Sequence, residues 1–113
     1  MKKLTYELYG TTYELALDTQ RYTYGNNLCV RATCFDEDCG GFVPFGIITK
    51  NLEDLKPLND NCGFVDINNL GKGIVDLIVD NGLGVLTGRI AQSGFCAYPE
   101  IEFDLNALAE YVG

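Results

Sequence analysis

The chain reads as an α+β domain, a mainly antiparallel sheet with two helices packed on one face. Three observations carry that expectation. Short runs alternate apolar with polar residues at Leu4–Tyr9, Thr12–Leu17, Leu28–Phe35 and Glu100–Phe103, the pattern of half-buried strands. One run, Leu70–Asn81, instead places Leu70, Ile74, Leu77 and Ile78 at i, i+4, i+7 and i+8, the apolar stripe of a helix. The length of 113 residues suits one domain, and a hydrophobic content of 47% supports a real core.

The strands come first. Leu4–Tyr9 and Thr12–Leu17 flank Gly10-Thr11 and form a hairpin. Asp18–Gln20 is expected to leave the sheet, and Gly25-Asn26-Asn27 is a turn signal. Leu28–Phe35 is the clearest central strand. Phe42–Thr49 returns beside it, with Pro44 and Gly46 marking an edge or a bulge. These first four strands are expected to meander as neighbours. Asn51 caps a single helical turn over Leu52–Lys56, with Asp54 as the acidic member of the capping pair and Pro57 as its end. Gly63–Ile67 is extended and delivers the chain to the main helix.

That helix is capped by Asn68 or Asn69. Gly71 and Gly73 weaken its first turn. Gly82 is its C′ residue, and Leu83 folds back onto Ile78. Gly84–Thr87 and Arg89–Gln92 are extended, Ser93-Gly94 turns, and Glu100–Phe103 points Ile101 and Phe103 inward with Glu100 and Glu102 outward. Asp104 caps a final helix striped by Leu105, Leu108, Ala109 and Val112.

Sixteen acidic residues face eight basic ones, a net charge of −8. After Lys50, ten acids meet only Lys56, Lys72 and Arg89, so most of the excess lies there. Such a surface repels phosphate backbones and attracts basic patches, which disfavours nucleic acid as a direct partner. Solubility alone also accounts for a charge of this size. Lys2 and Lys3 precede no apolar stretch, and no run approaches membrane-spanning length, so a cytoplasmic location is expected. Five cysteines there read as reduced thiols.

Histidine is absent, which removes His-based triads and the common zinc sites. Cys34 and Cys39 have zinc-like spacing but lack a second pair. Asp36-Glu37-Asp38 lacks the twelve-residue calcium pattern. Ser93 has neither nucleophile-elbow glycine and no base to activate it. No metal or cofactor is expected. The densest run of unusual residues spans Thr87–Pro99. Within it Arg89, Gln92, Cys96 and Tyr98 are the candidate contact residues. Arg89 is either held by a local carboxylate or reads one on a partner.

The segments Phe64-Val65-Asp66-Ile67-Asn68-Asn69, Asn81-Gly82-Leu83-Gly84, Thr87-Gly88-Arg89, Gln92–Pro99 and Glu102-Phe103-Asp104-Leu105 resemble a small domain family of unknown function. That family occurs in gut Firmicutes and is often associated with mobile elements. The chain departs from it at Leu70-Gly71-Lys72-Gly73, where a proline or aromatic residue is expected. The resemblance implies no activity, cofactor or catalytic residue. It implies a context in which small accessory proteins bind host proteins.

Three readings of function follow. The preferred one is a non-enzymatic interaction protein that binds a basic host protein. The other is a small ligand-binding domain or enzyme using Arg89, Cys96 and nearby carboxylates. Self-assembly into a homo-oligomer is a third.

Overall fold

The computed structural model describes residues 4–52 and 55–111. The α+β class and the antiparallel pairing hold, but the strands divide into two four-stranded sheets. The first is the expected meander of β1 (Leu4–Leu8), β2 (Thr11–Arg21), β3 (Leu28–Asp36) and β4 (Gly41–Ile47), paired in that order. The second contains β5 (Thr49–Lys50), β6 (Cys62–Val65), β7 (Gly84–Ser93) and β8 (Cys96–Phe103), in the spatial order β5-β6-β8-β7. Three short helices accompany them: α1 (Ile67–Leu70), α2 (Gly73–Asp80) and α3 (Leu105–Ala109).

The division is made by one stretch of chain, Gly41–Lys50. Thr33 pairs with Pro44 and Ala32 with Gly46, so Phe45 is an extra, bulged residue. A bulge bends its strand, and proline removes a ladder donor. The bent chain then leaves the first sheet and joins the second, the way strands turn corners between packed sheets. Ile48 sits at the corner. Its N–H donates to Val30 O at 2.8 Å, and its carbonyl accepts from Asp66 N at 2.8 Å. The Thr49 hydroxyl accepts from Val30 N at 3.1 Å, and the Tyr22 hydroxyl donates to Thr49 O at 2.9 Å.

Between the sheets lies one core. Leu4, Leu15, Leu17, Val30 and Ala32 face Val65, Ile101 and Phe103, and Ile74, Ile78, Leu83 and Leu108 close it from the helices. Burying side chains of this kind contributes about 1.5–3 kcal/mol each relative to exposure.

The expected helix over Leu70–Asn81 is broken. Gly71 has φ +84 and separates α1 from α2. Leu70 is held at the break, where its carbonyl accepts from the buried Tyr6 hydroxyl at 2.5 Å. The cap of α1 is Asp66, whose carboxylate accepts from Asn69 N at 3.2 Å; it is neither Asn68 nor Asn69. The end of α2 follows the sequence. Leu83 N donates to Ile78 O at 2.9 Å, with Gly82 at φ +70. Asp104 caps α3 by accepting from Ala107 N. Val112 lies outside the described residues.

Two further expectations are corrected. Asp18–Gln20 stays in the sheet, because Asp18, Thr19 and Gln20 pair with Arg31, Val30 and Cys29, and Arg31 forms an ion pair with Asp18. Leu52, Leu55 and Lys56 are not helical, while Asp54 lies outside the described residues. Among the described residues no helix is long and apolar enough to cross a membrane.

Two measurements test this packing. A Cβ on Gly84 would lie 2.6 Å from Ile101 Cγ2 and 2.8 Å from the Glu102 carbonyl oxygen, and that backbone atom cannot step aside. Gly84→Ala is expected to lower urea-unfolding stability by about 1–3 kcal/mol. Burial pushes the Tyr22 hydroxyl up to about 12, while an unfolded tyrosine ionises near 10. The folded state therefore keeps this proton where the unfolded state loses it. The contribution is intact below about pH 10 and disappears as the pH rises towards 12. Urea midpoints from pH 9 to 12 should fall more steeply for the wild type than for Tyr22→Phe.

Candidate functional site

The β7–β8 hairpin carries all four candidate contact residues. Ser93 pairs with Cys96 and Ala91 with Tyr98, while the ladder is irregular between Leu86 and Ile90. Arg89 stands in that irregular stretch. Cys96, Tyr98 and Glu100 alternate along β8 and therefore share one face. Gln92 follows Ala91 and points to the opposite face, where it is exposed.

Alternation along β8 places Glu100 where the sequence put it, on the face away from the core, but that face is covered. Asn51, Leu52 and residues 55–61 cross it as a strap. Leu52 packs against the buried cluster of Phe64, Ala91 and Tyr98. Asn59 Nδ2 donates to Glu102 Oε2 at 2.7 Å. Glu100 is consequently 0% exposed rather than solvated.

Every feature around Glu100 answers its charge. Thr87 Oγ1 donates to Oε1 at 2.7 Å, and Leu58 N donates to Oε2 at 2.9 Å. Arg89 Nη1 lies 3.5 Å from Oε2. The same guanidinium reaches the strap by donating to Lys56 O at 3.2 Å, and it lies over the Phe64 ring at 5.9 Å. A buried carboxylate with two donors and a cation is satisfied. The group is a clamp that fastens the strap and the bulged strand to β8.

Arg89 is thus held by a local carboxylate. Tyr98 is buried, and burial raises the pKa of its hydroxyl. Cys96 is half-buried against the Phe64 cluster. Arg89 and Cys96 therefore both border the packed Phe64 cluster. Cys34 is half-buried on β3, and Cys39 lies exposed in the following turn with Sγ 3.5 Å from Asp36 Oδ2. Among the described residues no group of three acidic, cysteine or histidine side chains is arranged to hold a metal.

Beyond the clamp, β7 presents an open edge. Of the four strands that end a sheet, β1 has five residues and β5 two, while β4 carries Pro44 and a bulge. Short length, proline and bulges are the usual protections of an edge. β7 runs for ten residues without proline or lysine, and its bulge sits mid-strand. Along it Val85, Leu86 and Ile90 are exposed, Ile90 by 64%, and Phe95 stands fully exposed at the hairpin tip. Beside its first residues lies a groove of about 740 Å³. Val79, Val85 and Leu105 supply its apolar wall, Glu102 and Asp104 its charge, and no basic side chain is among its described lining residues. Sequence reading missed this edge because strand order is not visible in alternation.

A family described as a domain of unknown function, DUF4313, matches residues 16–113, most of the chain. The chain belongs to that family. No curated protein and no solved structure matches it. The matched region begins within β2 and takes in the junction, the strap, the clamp and the open edge.

The clamp makes a direct prediction. Glu100→Ala leaves Thr87, Leu58 N–H and Arg89 without their shared acceptor. It is expected to cost about 3–5 kcal/mol in urea unfolding. Protection of the Leu58 amide from hydrogen exchange should fall in the same variant.

Proposed function

We propose that this domain is a non-enzymatic interaction module of a mobile-element accessory protein from gut Firmicutes, and that it binds a basic host protein. The observation that carries the reading is the long β7 edge, interrupted only by its mid-strand bulge, with an acidic groove at one end. An unpaired strand offers a row of backbone N–H and C=O groups to an incoming extended segment. Val85, Leu86, Ile90 and Phe95 supply apolar contact for alternate side chains of that segment. Glu102 and Asp104 at the groove select lysine or arginine at its end.

The net charge of −8 supports the same choice of partner. Two copies of this chain would bring like charges together, so a basic partner is favoured over self-pairing along β7. The packed and fully satisfied surroundings of Arg89 and Glu100 favour a structural clamp over a reaction centre.

A fluorescent extended peptide of alternating lysine and valine serves as the probe, with a glutamate–valine peptide as control. The lysine peptide should bind at low salt and weaken steeply by 0.3 M salt, as screened charge pairs do. Leu86→Lys and Ile90→Lys should abolish binding while leaving the fold within about 0.5 kcal/mol of wild type. Equal binding of both peptides, or binding untouched by the two variants, would overturn the reading. A dimer in sedimentation that Ile90→Lys dissociates would transfer the edge to self-assembly.

A further inference from the structure

A second cleft lies at the corner where the chain passes from one sheet to the other. It has a volume of about 510 Å³, within the range of roughly 300–1,000 Å³ usual for small-molecule sites. Phe45, Ile47 and Leu70 form its apolar wall; Asp66, Asn69 and Lys50 stand on its polar side. It shares no lining residue with the β7 groove.

The feature that sets this cleft apart is Asp66. Its side chain is buried at 6% exposure, yet it lines the cleft. Its hydrogen-bond partners among the described residues are neutral, Asn69 N on Oδ1 at 3.2 Å and Asn69 Nδ2 on Oδ2 at 2.7 Å. No described basic side chain forms an ion pair with it. A buried charge is ordinarily matched by an opposite one, as Glu100 is by Arg89. Each Asp66 oxygen retains a lone pair for a further donor. Its field is felt at the Tyr22 and Tyr98 hydroxyls, where it adds to the rise caused by burial.

The cleft also holds a cation that Asp66 does not use. Thr49 pairs with Val65, so Lys50 and the residue after β6, Asp66, stand diagonally across the β5–β6 ladder. Diagonal positions lie about 7–8 Å apart, near enough for one small molecule to touch both side chains. We infer that this corner cleft binds a free α-amino acid with an apolar side chain. The ammonium group lies on Asp66, the carboxylate meets Lys50, and the side chain packs on Phe45, Ile47 and Leu70. The position suits a bound ligand, because the walls come from β4, β5 and from α1 with its cap, and are fixed by the backbone bonds of Ile48. This site is independent of the β7 edge, and either stands if the other fails.

Titration with L-leucine and L-phenylalanine, followed by amide chemical shifts in the full chain, tests the inference. Saturable shifts are expected at Asn51, Asn69 and Gly46. Leucinamide lacks the carboxylate and 4-methylpentanoate lacks the ammonium group, so each should bind more weakly than leucine. Asp66→Asn keeps a good helix cap and should weaken leucine roughly thirtyfold or more. Lys50→Gln, an exposed change, should weaken leucine but not leucinamide. Should Asp66→Asn fail to fold, the Lys50 variant and the two analogues still decide the matter. No saturable shift with either amino acid at 10 mM, or equal binding of leucine, leucinamide and 4-methylpentanoate, overturns the inference. So does leucine binding that Lys50→Gln leaves unchanged.

Discussion

Val30 is bonded to two successive residues of a single crossing strand, Ile48 through its carbonyl and Thr49 through its N–H. Those two bonds fix the relation between the sheets, and the remaining architecture follows from it. Ile48 carries the chain across while its carbonyl takes Asp66 N, so the residue leaving β6 is tied to the same point. The core can then close on both inner faces at once. The strap starts at Asn51, immediately after the crossing, and Asn51 is anchored there by Asn27 Nδ2 at 2.9 Å and by its own bond to Tyr24 O at 3.0 Å. The clamp at Glu100 holds the far end of that strap. Junction and clamp are thus the two ends of one restraint.

Much of this was legible where the signal is local. The Gly82–Leu83 ending, the Asp104 cap and the four-strand meander each depend on residues close in sequence, and each is present. What escaped depends on distant chain. Asp18-Thr19-Gln20 is polar enough to read as a loop, yet it pairs because β3 is long and offers Arg31 opposite Asp18. Leu70–Asn81 has a continuous helical stripe, but Gly71 takes a conformation that ends one helix before the next begins. Pro44 and Gly46 correctly announced a bulge; that the bulge divides the sheet requires knowing where β6 lies.

The candidate site divides in the same way. A lone arginine among acids fairly announces a carboxylate partner, and Arg89 has one. The sequence could not say which. Strand alternation put Glu100 on the right face and misjudged its solvent, because the strap that covers it lies forty residues earlier in the chain. The open β7 edge left still less trace, since an edge strand differs from a central one only in what fails to pair with it. Val85, Leu86 and Ile90 read as ordinary strand residues until the strand order shows them uncovered.

Two buried carboxylates show how geometry separates a structural role from an open one. Glu100 and Asp66 are both removed from water, a costly condition for an ionised group. Glu100 recovers that cost inside the fold, through a hydroxyl, a backbone N–H and a guanidinium, and has little left to offer a ligand. Asp66 receives two bonds from one neutral asparagine and caps a helix of four residues. A helix that short has little dipole to set against a full charge. Packing explains the first carboxylate completely and leaves the second incompletely compensated beside an open cleft. An asparagine at position 66 would cap the same helix without the charge. The second carboxylate oxygen serves Asn69 Nδ2 within the fold, and a cationic group in the cleft, as inferred above, would complete the compensation.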